Sequence, residues 1–411
     1  MAITIQANPS TYYSVNGDVL FVVCDIVKAS DPVTYPDYRY VCDIYVASTL
    51  VARLKAYPLP DNKMGVFNVG NILRSYMATT FSPTSAIRAQ QLGVNEFNLV
   101  ATMKFGEEYS TTLTTNITVD SARTYFNHYN GRMLGVLSNL SDLTDKPLTT
   151  RTVYTALSVL NTGYPVDVNN KNNYVPYLPS TTGSVTLTIT SWTAAGVQIN
   201  TQNVAYSPAA ANTQQLYNLS PTVINAAYPG LIPLTVASYY TVQFVNAVIL
   251  LDRIIRFNLT CEPKFDIYNI HFLNKWGGFE SRGFNKVSRK VIDVDKSEFG
   301  KLGYTLDSSG VVSYKDSNNV YKDNRTVFSS HYKEKMTLNT DVLIDIEYTW
   351  LAELILSPMV YIEMEDSSGT VYFVPCVITE NNYEFRKRVN DKLTNLTLQI
   401  EFGDQFNTQY R

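Results

Sequence analysis

The sequence predicts a mainly β, multi-domain fold, with immunoglobulin-like β-sandwiches followed by a C-terminal β-sandwich bearing one flanking helix. Three observations carry that expectation. The 30 tyrosines and 18 phenylalanines accompany many Val, Thr and Asn residues, a mixture suited to pleated, half-buried strands and the turns between them. Apolar residues alternate over short stretches bounded by Gly, Pro, Asn and Asp, which is the period of a strand with one covered face. The 411-residue length also exceeds a single ordinary core, since domains run to roughly 100–200 residues.

Residues 1–122 read as an immunoglobulin-like sandwich. Asp18–Val27 is a strand, Pro32 and Pro36 mark a loop, and Tyr38–Val46 and Leu50–Ala56 are strands joined at Ala47-Ser48-Thr49. That junction lacks the Asn-Gly pair that tight hairpins favour, which leaves the register open. Val66, Val69, Ile72, Leu73 and Tyr76 recur at helical spacing, so 66–76 is expected to form a short helix. Phe97–Met103 and Thr111–Val119 close the unit.

Residues 123–265 read as a second sandwich with loop-rich insertions, opening on Leu134, Leu137, Leu140 and Leu143. Ser184–Ser191 and Val197–Val204 flank the hairpin turn Ala194-Ala195-Gly196, and Tyr239–Leu251 and Ile255–Cys261 follow. Ser220 before Pro221 is a helix N-cap with proline at the first position, so Thr222–Ala227 should turn helically. Residues 266–411 form the third unit, with the strand Tyr268–Leu273 and a helix over about 343–356. Leu343, Ile346, Trp350, Leu351 and Leu354 line one face of that helix, and Ser357-Pro358 ends it. Asp307-Ser-Ser-Gly310 and Asp366-Ser-Ser-Gly369 are twin hairpin turns with Gly where φ is positive.

Charge and chemistry narrow the function. A net charge of −3 gives no basic face for nucleic acid, and the clusters Arg282–Lys290 and Arg386–Lys392 read as solvated strand edges and loops. The uncharged run Leu231–Leu251 is rich in β-branched and aromatic residues, which favours a pair of buried strands over a membrane span. Cys24, Cys42, Cys261 and Cys376 are scattered without zinc-type spacing; Cys24 and Cys42 could face each other across neighbouring strands, although reduced core thiols are the expectation. The N-terminus shows no secretory pattern, so synthesis and retention in a cytoplasm are expected.

His128, His271 and His331 are the only histidines, little material for acid–base or metal chemistry. No nucleophile elbow, phosphate loop or metal motif is legible, so no catalytic residue, cofactor or metal is expected. Glu363, Glu365 and Asp366 form the one acidic group with a glycosidase-like composition, and solvation of an exposed hairpin explains them better. Asp341, Asp345 and Glu347 suit the first turn of the predicted helix. The sequons at Asn116 and Asn258 follow from Asn and Thr abundance. The most distinctive local feature is Trp276-Gly277-Gly278-Phe279, where two glycines permit a tight turn that two aromatic rings pin to a core or to a neighbouring molecule. With Trp350, these residues are the candidate interface.

Four segments carry a family resemblance: Phe272-Leu-Asn-Lys-Trp-Gly-Gly-Phe-Glu-Ser-Arg-Gly-Phe284, Lys333-Glu-Lys-Met-Thr-Leu-Asn-Thr340, 347–361 and 383–401. Together with 38–46 and 51–55 near the start, they resemble virion structural proteins of tailed bacteriophages infecting Bacteroidota. A sandwich with one flanking helix is also similar to tail-tube and distal-tail proteins, which assemble into rings. The resemblance implies a tail hub, distal-tail, baseplate or connector subunit that contacts its own copies and other virion proteins, assembled in the host cytoplasm. It brings no active site. A host-surface glycan or receptor binder is the alternative, motivated by the aromatic load.

Overall fold

The computed structural model describes residues 3–9, 12–14, 18–77, 80–90, 98–110, 112–119, 123–126, 146–147, 149, 163–179, 185–206, 214–246, 249–260, 264–341, 343, 345–379, 395–403 and 406–410. Leu134, Leu137, Leu140, Leu143, His128, Cys261 and the cluster Arg386–Lys392 lie outside these residues. The fold is mainly β, a multi-domain β-sandwich protein with four helices among the described residues. Two compact units emerge: Met1–Cys261 with His271–Arg282, and Glu262–Ile270 with Gly283–Arg411.

In the first unit, Thr4–Ala7, Leu20–Cys24 and Met64–Asn68 form one sheet. A second sheet runs Tyr12–Ser14, Arg123–Phe126, Asn98–Tyr109, Arg39–Val46, Thr49–Ala56, and Thr112–Val119 also pairs with Asn98–Tyr109. Between them lie Phe21, Val23, Tyr40, Cys42, Ile44, Phe67, Leu99, Met103 and Phe105. The alternation explains the choice: Phe21 and Val23 turn inward while Leu20 between strand start and core stays exposed. Phe21 and Phe105 meet with ring centroids 5.4 Å apart. Cys24 and Cys42 are buried free thiols on strands of different sheets, so they do not face each other across neighbouring strands.

The stretches read as 1–122 and 123–265 exchange strands. Arg123–Phe126 completes the sheet of Asn98–Tyr109, and Arg88–Gln90 joins Gln215–Asn218 in a sheet with Tyr174–Leu178 and Lys146–Pro147. A five-stranded sheet runs Tyr164–Asp167, Ile249–Thr260, Tyr239–Asn246, Val185–Trp192, Gln198–Tyr206. Tyr177 stacks on Phe244 at 5.1 Å and Tyr240 on Phe257 at 5.0 Å, which fills this interior with aromatic area.

Local expectations mostly hold, with instructive departures. Ala47 and Ser48 both have positive φ (47° and 69°), so the two-residue turn is built without Asn-Gly, and its register is Val46 opposite Thr49. Only Gly70–Ser75 of the expected helix 66–76 is helical, because Val66 is taken by the sheet, opposite Val22. Tyr239–Leu251 is no single strand: Tyr239–Asn246 pairs antiparallel with Ile249–Thr260, Asn246 facing Ile249. The run Leu231–Leu251 therefore contributes a strand pair, and no described helix is long and apolar enough to cross a membrane. Ser220 caps the helix Pro221–Ala227, its hydroxyl accepting from the Val223 amide at 3.4 Å.

In the second unit the sheet order includes Val360–Glu365, Val371–Ile378, Thr397–Phe402, Arg325–Asn339 and Arg289–Gly300, with Phe406–Tyr410 also pairing with Arg325–Asn339. The helix Asp345–Leu356 buries Trp350, Leu351 and Leu354. Met336, Leu338, Ile362, Leu398 and Ile400 are the buried sheet residues of the same unit. The twin turns are as expected, with Gly310 at φ 80° and Gly369 at φ 82°.

Candidate assembly interface

The turn at Trp276 is held from within the first unit. The Asn274 side-chain oxygen accepts from the Trp276 and Gly278 amides, both at 3.0 Å, and its amide donates to Glu280 Oε2 at 3.0 Å. Gly277 takes φ 79°, and a Cβ on Gly278 would sit 2.4 Å from the Pro176 ring, so both glycines answer a definite demand. Phe279 packs on Phe81 at 4.7 Å, and Phe81 stacks on His271 at 5.5 Å. The Ser281 hydroxyl accepts from the Tyr174 amide at 2.9 Å and bonds His271 Nδ1 at 2.8 Å. His271 is thus a core histidine.

Gly277, Gly278 and Phe279 are buried, and Trp276 is half-buried. Trp350 is 1% exposed in the interior of the second unit. Phe279 and Trp350 are enclosed by their own chain and offer no ring face to a partner, whereas Trp276 keeps part of its ring exposed.

The acidic residues serve local structure. Asp366 accepts from the Ser368 and Thr370 amides at 2.8 and 2.9 Å, and the Ser368 hydroxyl, with these amides, holds its carboxyl below the usual range. Glu363 accepts from the Asn269 side chain at 3.1 Å. Among the described residues no three His, Cys, Asp or Glu side chains are grouped to hold a metal ion.

A buried ionic cluster in the first unit escaped the sequence. Lys28 Nζ pairs with Glu107, which is fully buried and also accepts from the Tyr38 hydroxyl at 2.9 Å. Burial opposes the Lys28 charge, and the adjoining Glu107 carboxylate more than offsets it, holding the ammonium above its ordinary range. The pair fastens the short helix Ile26–Ala29 to the sheet. With partners 79 residues apart, only the tertiary fold brings them together.

The second unit carries a contrasting feature, a long uncovered β-arm. Arg289–Gly300 spans 12 residues, all exposed, and pairs antiparallel along its length with the 15-residue strand Arg325–Asn339. On one face Ile292 and Val294 lie beside Tyr332, which faces Val294, and Lys290 pairs with Glu334 at 2.6 Å. On the other face Lys335 bonds Asp293 at 2.5 Å. Ile292 and Val294 are 55% and 53% exposed, and Phe299 is 48%.

Beyond the strands, the tip holds the small sheet Thr305–Leu306 with Val312–Ser313 and the bridge Lys315–Tyr321. Leu302, Leu306, Val311, Tyr314, Val320 and Tyr321 are exposed there. These exposed apolar residues, together with those of Arg289–Gly300, are the candidate interaction surface. Among the described residues Arg289–Gly300 also ends the sheet. It presents an unpaired row of backbone donors and acceptors, a template for another strand.

No protein-family model and no curated protein matches the chain. Solved structures with partial likeness include the calcium binding domain CBD12 of CALX1.1, at 7% identity and TM-score 0.21, covering 63% of this chain and 100% of that one. A tri-modular GH5 endo-β-1,4-glucanase from Bacillus licheniformis follows at 10% identity and TM-score 0.17. This chain is matched over 63% of its length and spans 38% of the glucanase. Likenesses of this size carry no argument about function.

Proposed function

We propose that this chain is a structural subunit of a tailed-phage virion, a tail hub, distal-tail, baseplate or connector protein that acts by assembling with its own copies and with other virion proteins. The observation that carries the assembly reading is the strand Arg289–Gly300, whose apolar residues stay in solvent on an open sheet edge among the described residues. Burying such a surface is favourable at about 25 cal/mol per Å² of apolar area, so a covered arm is more stable than a bare one. The virion setting rests on the resemblance of 272–284, 333–340, 347–361 and 383–401 to phage structural proteins. The absence of a legible catalytic motif fits a protein whose work is contact.

Light scattering of the purified full chain tests the assembly, with symmetric multimers expected at micromolar concentration. Mass spectrometry of purified particles tests the setting. A chain that stays monomeric and is missing from particles contradicts the proposal. A second reading, a binder of host-surface glycans, is favoured by the aromatic tip, where Tyr304 and Tyr314 lie 6.2 Å apart and Lys315 sits 4.6 Å over Tyr321. Glycan-array binding that is lost on Tyr321→Ala supports it; blank arrays with folded protein remove it.

A further inference from the structure

We infer that the free edge of Arg289–Gly300 pairs with the same edge of a second copy, antiparallel, about a twofold axis through Ser297. This rests on the reading of the chain as an assembling subunit and names the partner for its arm. Two strands related by a twofold axis in one sheet place the axial residue opposite itself, and every other residue opposite its mirror position. The charges on the strand then select the axis. An axis at Asp293, Asp295, Lys296 or Glu298 sets like charges face to face, and one at Val294 opposes Asp293 to Asp295. An axis at Ile292 pairs Arg289 with Asp295 three residues out but leaves the two Asp293 side chains diagonal to each other beside the axis. One at Val291 pairs Arg289 with Asp293 but sets Lys286 opposite Lys296, and axes at Phe299 or Gly300 bring no opposite charges of the strand together.

With Ser297 on the axis, Lys296 faces Glu298 of the second copy on both sides. Along each strand the same two residues alternate on one face. The four side chains form a square of alternating sign. Next out, Asp295 faces Phe299 and Val294 faces Gly300; beyond them Asp293, which also holds Lys335, faces Lys301, which also holds Asp323, and Ile292 faces Leu302. Ser297 on the axis is small and uncharged. It also sits where the inner pairing shifts register between Ser297 and Glu298, a bulge that increases local twist. Such a contact closes at two copies, so a ring built from this chain needs a second, head-to-tail surface, and the two together generate a dihedral stack.

Cysteine cross-linking of the full chain under mild oxidation tests the register. Directly opposed residues have Cα atoms about 4.5–5.5 Å apart, within disulfide reach, whereas Val294 lies six positions from its facing residue and roughly 20 Å from its own copy. Ser297→Cys is expected to yield a disulfide-linked dimer, and Val294→Cys to yield one only when mixed with Gly300→Cys. The unaltered chain controls for its native thiols. Lys296→Glu should weaken the dimer about tenfold, and adding Glu298→Lys should restore it. Equal cross-linking of Ser297→Cys and Val294→Cys overturns the pairing. If the chain multimerises and enters particles without the Ser297 cross-link, this edge contact fails and the virion reading stands; a Ser297 dimer from a chain missing in particles is the reverse outcome.

Discussion

The first sandwich and the β-arm are made from the same kind of strand, and they differ in what covers them. In Leu20–Cys24 and Asn98–Tyr109 every second residue enters a closed interior, where Phe21, Phe67 and Phe105 cluster with centroids 5.4 to 6.1 Å apart. In Arg289–Gly300 apolar residues occur on both faces, Val291 beside Ile292, and none is buried. Alternation is a signature of one covered face. Where it is blurred on an otherwise regular strand, the proposed assembly supplies the cover that the described residues do not.

The largest expected effects break the first sandwich. Phe105→Ala should cost about 3–5 kcal/mol in denaturant unfolding, through lost burial and a cavity. Lys28→Met strands a buried Glu107 carboxylate and should cost a comparable ~3–5 kcal/mol, with part of the loss recovered on adding Glu107→Gln. Gly278→Ala should cost about 1–3 kcal/mol by forcing a methyl against the Pro176 ring.

An alkaline titration probes the same interior. Burial pushes the Tyr40 hydroxyl up to about 12, assisted by neighbouring Cys24 and Asp25 and opposed by a hydrogen bond to the Asp25 backbone. The unfolded chain loses that proton near pH 10, while the folded chain keeps it. Stability from this group is therefore full below about pH 10 and is lost as pH rises towards 12. Thermal melts across that window should fall, and less steeply for Tyr40→Phe.

Two smaller effects sharpen the contrast. Replacing Ala47-Ser48 with Asn-Gly should stabilise the hairpin by about 1 kcal/mol, since two ordinary residues now hold left-handed conformations. On the arm, Phe299→Ala should change monomer stability by no more than about 0.5 kcal/mol. A loss above about 2 kcal/mol there would reveal a core that the arm does not have.

Features written locally were legible in the sequence. The Ser220-Pro221 cap, the Asp366–Gly369 turn and the helix around Trp350 each depend on neighbours a few residues away. The hairpin Ala47-Ser48 was ambiguous because its turn conformation is imposed by strand pairing, and the helix 66–76 was shortened because the sheet claimed Val66. The site was the least legible part. Trp276 to Phe279 drew notice as aromatics around a tight turn, yet such residues are equally fit for a core, and burial is decided by distant partners such as Phe81 and Pro176. The arm left only Val291-Ile292 and Val294 as signals, since a strand with no covered face has no clean period to read.

Hydrogen exchange measured on the isolated chain and on the assembled form tests the central claim most directly. The outward-facing amides of 289–300, about every second one, should exchange within seconds to minutes in the isolated chain and become at least about tenfold slower on assembly, while those of Leu20–Cys24 and Arg39–Val46 stay equally protected in both. Unchanged exchange along 289–300 between the two states would contradict the account, because the arm would then be as bare in the assembly as it is alone.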